Sequence, residues 1–183
     1  MTDSRKLRIS LVVIALLVLV IAAMAYKFIV VGSTGESRDG RTVILIEPVE
    51  RTFVLKEMRD FLAGVQKLSV ALADEDLVQA AKHARAMGMD SDPKSPESAA
   101  LMGKLPLEFK TLGFSVHADF DRLAKDAEAK AAPKDLLRQL GGTLQKCVSC
   151  HDRYQFGAPA AKQASRGMLL AGRPEGLPRA DKY

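Results

Sequence analysis

The chain has 183 residues, 48% of them hydrophobic and 27% charged, with a net charge of +5. Basic residues are interleaved with Asp and Glu and only 5% of the chain is aromatic, so composition and charge give no basic-aromatic stripe for nucleic acid. Both cysteines fall within four positions, Cys147 and Cys150, which leaves none for a structural disulfide or a four-thiolate metal site.

The N-terminus divides into a basic segment, residues 1–8 with Arg5, Lys6 and Arg8, and an apolar segment, residues 9–31. Leu11–Val31 is 21 residues, which at about 1.5 Å per helical residue spans the hydrocarbon core of a bilayer. Lys27 lies near enough to one end to snorkel to the interface. The positive charge before the run predicts an N-terminus in the cytoplasm and an exported remainder. The expected location is therefore the bacterial inner membrane, single-pass, with the domain in the periplasm. A cleaved signal peptide competes with this reading, because Ala23-Met24-Ala25 has the small-x-small form of a cleavage site. The retained anchor is favoured, because the apolar run continues past that site.

Residues 32–47 read as a linker. Gly32–Arg41 (GSTGESRDGR) is polar and glycine-rich, the composition of a flexible tether. Thr42–Ile46 is a short apolar run, open between a small strand and a segment packed on the domain. The remainder, roughly 140 residues, is the size of one domain. Pro48 starts an amphipathic helix with Leu55, Met58, Leu62, Val65 and Leu72 on one stripe, widened by Val54, Phe61 and Leu68. Asp76 caps a second helix over Leu77–Met87, ended by Gly88. Asp90–Pro96 is a loop by composition, and a short helix over Glu97–Lys104 follows. Pro106 opens a third long helix with Phe109, Leu112, Val116, Phe120, Leu123 and Ala127 three or four apart. Pro133 opens the last, with Leu136, Leu137, Leu140, Leu144 and Cys147 on one side. Gly141-Gly142 inside it reads as a close approach or as a kink. Residues 157–183 are rich in Gly, Pro, Ala and basic residues without a period, so a flexible tail is expected, with Arg166, Arg173, Arg179 and Lys182 solvated. No alternating strand pattern is convincing in the exported part. The expected fold is all-α: an antiparallel four-helix bundle over residues 48–156 behind an N-terminal transmembrane helix.

Near the end of the last helix stands Cys147-Val148-Ser149-Cys150-His151, the C-x-x-C-H attachment signature of a c-type haem. Two thiols at this spacing can bond the two haem vinyl groups as thioethers, and the adjacent histidine can ligate the iron. One haem c per chain is expected, with Cys147, Cys150 and His151 as its residues. A redox dithiol would open a helix in a βαβ setting, which the sequence lacks. A zinc site would need a fourth ligand, with only His83 and His117 left as nitrogen donors.

Helices ending in such a motif resemble the cytochrome c′ family. Leu105-Pro106-Leu107-Glu108-Phe109 is similar to the Leu-Pro-x-x-Phe that leads into the family's third helix. His117-Ala118-Asp119-Phe120-Asp121 resembles a pattern within that helix, and Cys147–Tyr154 (CVSCHDRY) the C-x-x-C-H-x-x-Tyr ending. The resemblance covers roughly residues 48 to 156 and implies one of two site types. In one, an apolar side chain of the first helix blocks the sixth iron position and the five-coordinate haem binds gases such as NO or CO. In the other, a methionine of that helix ligates the iron of an electron carrier. Met58 is the candidate ligand, and methionine/histidine ligation would raise the reduction potential. Leu55 and Leu62 are the candidate blocking residues. The family also forms dimers through its first helix, so a homodimer is a further expectation.

His117 reads as a packing residue and His83 as a surface one. Arg153, Tyr154, Arg51 and Arg59 are candidates to pair with haem propionates, and Asp119 and Asp121 read as surface charges. No catalytic base, nucleophile or paired carboxylates stand apart from surface charge, so an electron carrier rather than an enzyme is expected. Its partners would be the membrane and redox proteins. A haem subunit of a larger membrane complex, with Val43–Ile46 and the tail as interaction surfaces, is the remaining alternative.

Overall fold

The computed structural model describes residues 2–91 and 95–159, with side chains from residue 5 onward. The expected tail lies outside the described residues from position 160. The chain is mostly helical (76%). Helix α1 (Thr2–Ala25) runs straight into a π-helical turn, Tyr26–Val31. Over Arg5–Val31 this helix is apolar and none of its most apolar window is buried by the rest of the chain. It is therefore long and apolar enough to cross a membrane.

The segment read as a linker is part of the fold. Strands β1 (Thr34–Glu36) and β2 (Thr42–Leu45) pair antiparallel, with Thr34 opposite Ile44. A third strand, β3 (Tyr154–Gly157), lies parallel to β2, with Thr42 beside Tyr154 and Leu45 beside Gly157. The tether expectation for Gly32–Arg41 is corrected here, the open choice at Thr42–Ile46 resolves to a strand, and the all-α expectation gives way to a small sheet that takes in Tyr154–Gly157. The cause is long-range: Ile44 and Ile46 bury completely, and β2 finds its inner partner more than a hundred residues away, beyond any local pattern.

The long helices start and stop close to where proline and capping chemistry place them. α2 (Pro48–Ala73) opens with a capping box in which the Glu50 carboxylate accepts from the Glu47 amide at 2.7 Å. α3 (Leu77–Arg85) is capped by Asp76, whose carboxylate accepts from the Gln79 amide at 3.0 Å. α4 (Pro96–Met102) is capped by Ser95. α5 (Leu107–Glu128) and α6 (Pro133–Arg153) complete the chain's helices. α3 packs on α2 and α5, α6 packs on α5 and α2, and α4 lies on α2.

Two cores hold these elements. One is built from α2, α3, α5 and α6 around Leu68, Leu72, Phe120, Leu123 and Leu136. The other joins the sheet, α4 and the starts of α2 and α5 around Ile44, Ile46, Val54, Leu101, Leu105 and Phe109. The second core marks the end of the helical layer where α1 enters.

Stripe expectations hold in part. On α6, Leu136, Leu140 and Thr143 are buried, whereas Leu137 and Leu144 are 44% and 36% exposed. Seven residues apart, they form a second apolar stripe beside the buried one. On α2, Leu62 is 71% exposed rather than in the core. A Cβ on Gly141 or Gly142 would meet nothing within 4 Å, so neither glycine serves a close helix approach.

Candidate haem-attachment site

The motif occupies the last turns of α6, stopped by the turn into extended backbone at Tyr154. Cys147 and Cys150 lie one helical turn apart, half-buried, as free thiols. The Cys147 thiol sits 3.8 Å from the Thr143 carbonyl oxygen. Burial pushes the Cys150 thiol up to about 11, with the neighbouring Cys147 adding to the effect, and burial raises Cys147 as well. Cys150 packs on the second core, and so does half-buried Met58 of α2. Two residues about ninety positions apart in the sequence therefore border the same core.

His151 is exposed at the helix end. Val148 and Leu144 precede it by about one and two turns respectively on the same side of α6, and Val148 is 52% exposed. Bare apolar side chains next to a histidine and two thiols suit an apolar ring bonded at that point. Among the described residues, no three His, Cys, Asp or Glu side chains converge as a metal-binding group. His83 is half-buried between α2 and α3, beside Gln79 and Asp74, and does not join the motif. The residues present thus fit a haem held by two thioethers and one or two axial ligands, and do not fit a zinc cluster.

Residues that sequence reasoning passed over fix the motif's position. Arg41, in the β1–β2 turn, is ion-paired to Asp39 at 2.6 Å. Its guanidinium donates to the His151 carbonyl at 3.4 Å and to Gln155 Oε1 at 3.2 Å. The hydrogen bond from Arg41 holds the Asp39 carboxyl down at about 2. Glu108, in the first turn of α5, pairs with Arg153 at 2.5 Å and accepts from the Tyr154 hydroxyl at 3.1 Å. Burial first, then Glu108, pushes the Tyr154 phenol up to about 12. The Phe109 ring meets Tyr154 and Phe156 edge-on, at 5.3 and 5.7 Å. The only sequence signal for this clasp is the alternation of Tyr154 and Phe156, too short to stand out from a helix end.

Other candidates take structural positions. His117 donates from Nδ1 to the carbonyl oxygens of Met87 and Gly88, at 3.0 and 3.1 Å, and stacks edge-on to Phe61. Asp121 accepts from the Met89 amide at 3.0 Å. Asp119 pairs with Lys146 at 2.5 Å. Both aspartates therefore tie elements together rather than serve as plain surface charge. Arg51 and Arg59 are exposed on α2, and Leu55 is half-buried there.

No family model, no curated protein and no solved structure matches this chain.

Proposed function

We propose that this protein is a membrane-anchored c-type cytochrome that carries single electrons on the periplasmic side of the bacterial inner membrane. In this reading α2, α3, α5 and α6 form an antiparallel four-helix bundle around one haem c, as the resemblance to the cytochrome c′ family implies. The observation that carries the proposal is the pair of free thiols one turn apart on α6, followed by exposed His151 beside bare Leu144 and Val148. Haem supplies a one-electron Fe(II)/Fe(III) couple that no side chain here offers. Cys147 and Cys150 would hold it as thioethers, and His151 would provide the axial imidazole. Met58 is the residue best placed for the sixth position, because it shares a core with Cys150 whereas Leu62 turns to solvent. Leu144 and Val148 would keep water from the site.

The test is the visible spectrum of the purified protein, oxidised and reduced, with and without CO, repeated for Met58→Ala. A low-spin spectrum with a methionine-to-iron band that disappears in the variant supports electron transfer with Met58 as ligand. A high-spin spectrum that shifts on CO addition and ignores the substitution transfers the protein to the five-coordinate, gas-binding class. Absence of covalently bound haem after expression with the maturation machinery would overturn the proposal.

A further inference from the structure

We infer that the motif-bearing end of the domain is docked in a fixed orientation against the lipid headgroup layer, instead of swinging on a tether. The inference rests on the membrane anchorage proposed above. Its first support is the junction after the apolar helix. The Gly32 amide donates to the Lys27 carbonyl at 3.0 Å, and one residue later the Ser33 amide donates to the Lys104 carbonyl at 2.8 Å. Ser33 in turn accepts from the Leu45 amide at 2.8 Å. The chain is therefore fastened to the α4–α5 turn and to β2 within two residues of Val31, a span of about 7 Å at most.

The contact is built for close approach. Gly32 is buried at φ +70°, and a Cβ there would stand 2.5 Å from the Lys104 carbonyl oxygen. Lys104 is also held by the carboxylate of buried Glu50, which it reaches at 2.6 and 2.8 Å. The π-helical turn also packs on α5. Nothing in this series of bonds behaves as the free linker that the composition of Gly32–Arg41 suggests.

The second support is what lies beside the junction. Val49, in the first turn of α2, is 66% exposed and Leu107, first residue of α5, is 44% exposed. Val49 directly precedes Glu50, and Leu107 follows Lys104 by three residues, so both lie in the segments that carry the ion pair beside the junction. Two exposed apolar side chains next to the segments fastened to the anchor are what a lipid interface would cover. The same end holds β2, β3 and His151. The strand spacing from Ser33 through β2 to β3 places His151 within about 25 Å of the junction. The opposite ends of α5 and α6 lie about 30 Å farther out.

The full chain would be reconstituted into phosphatidylcholine–phosphatidylglycerol vesicles containing a lipid with a photoactivatable headgroup, irradiated, and its labelled segments mapped by mass spectrometry. Residues 47–52 and 104–110 should carry several-fold more label than residues 74–82 and 128–134. A Gly-Ser insertion of about eight residues between Val31 and Gly32, reaching about 15 Å, should remove that difference. Equal labelling of both ends, no domain labelling beside a labelled α1, or labelling indifferent to the insertion would overturn the inference while leaving the anchor in place. An unlabelled α1 in protein that alkaline washing extracts would overturn the anchorage itself, and the inference with it.

Discussion

Cys150 combines a position near the surface with a thiol pushed from 9.0 to about 11, and this makes the state of the motif readable in a stability measurement. Between about pH 9 and 11 the folded chain keeps a proton that the unfolded chain has released. Stability conferred by that group is complete below pH 9 and is lost as pH rises toward the folded value. Tyr154, raised from 10.0 to about 12 by burial and by Glu108, adds a similar decline from pH 10 upward. The interval from pH 9 to 10 therefore reports the thiols. Denaturant midpoints of the chain without cofactor should fall across it. The thioether-linked chain has no thiol to titrate and should show a markedly flatter profile. Parallel profiles for the two forms would show that the thiols do not carry the decline.

Among the elements, the two connections at the far end of the helical layer show where backbone energy is stored. α2 and α5 both end in a six-to-one closure: the Asp76 amide donates to the Ala71 carbonyl at 2.8 Å and the Ala131 amide to the Asp126 carbonyl at 3.0 Å. The residue that turns the chain is left-handed in each, Glu75 at φ 56° and Lys130 at φ 60°. This position ordinarily takes glycine, because a Cβ crowds the following carbonyl. Glu75→Gly and Lys130→Gly should each stabilise the protein by about 0.5 kcal/mol, the relief of that crowding offset by the freedom glycine gains when unfolded. Thermal unfolding measures this, and a loss of stability in both variants would show that their side chains contribute more than the backbone costs. These ends also mark how far the sequence reaches. Pro48, Asp76, Pro133 and the three-four apolar spacing locate the long helices to within a few residues, because capping and amphipathic burial are local. The left-handed Glu75 and Lys130 have no local signal. The sheet has little more, since β2 needs a strand contributed by the chain just past the C-x-x-C-H motif. Within the site, the motif and the stripe bearing Met58 were legible, whereas Arg41 and Glu108 were not. They hold the motif by pairing across more than forty residues.

At the scale of the whole molecule, the two cores divide stability unequally. The far core buries thirteen residues among those described, with Phe120, Leu123 and Leu136 fully hidden, and joins four helices. The near core buries six and depends on a three-stranded sheet of three- and four-residue strands, an element too small to stand without packing. Two of its edge members, Cys150 and Met58, are the residues proposed to hold the cofactor. Without it the near end should open more often than the far end, because less apolar surface opposes the entropy of the β1–β2 turn and of the last turn of α6. Attachment would join α6 to α2 through the haem and add apolar contact at Leu144 and Val148, so its stabilisation should be local. Amide hydrogen exchange on the chain before and after haem attachment should show β2, β3 and residues 147–153 slowing by about tenfold, equivalent to about 1.4 kcal/mol. Exchange around Leu68, Ala84 and Phe120 should change far less. Equal slowing throughout would mean that the two cores open as one unit. No slowing at the near end would mean that the cofactor, if bound, leaves the junction of Cys150 and Met58 untouched.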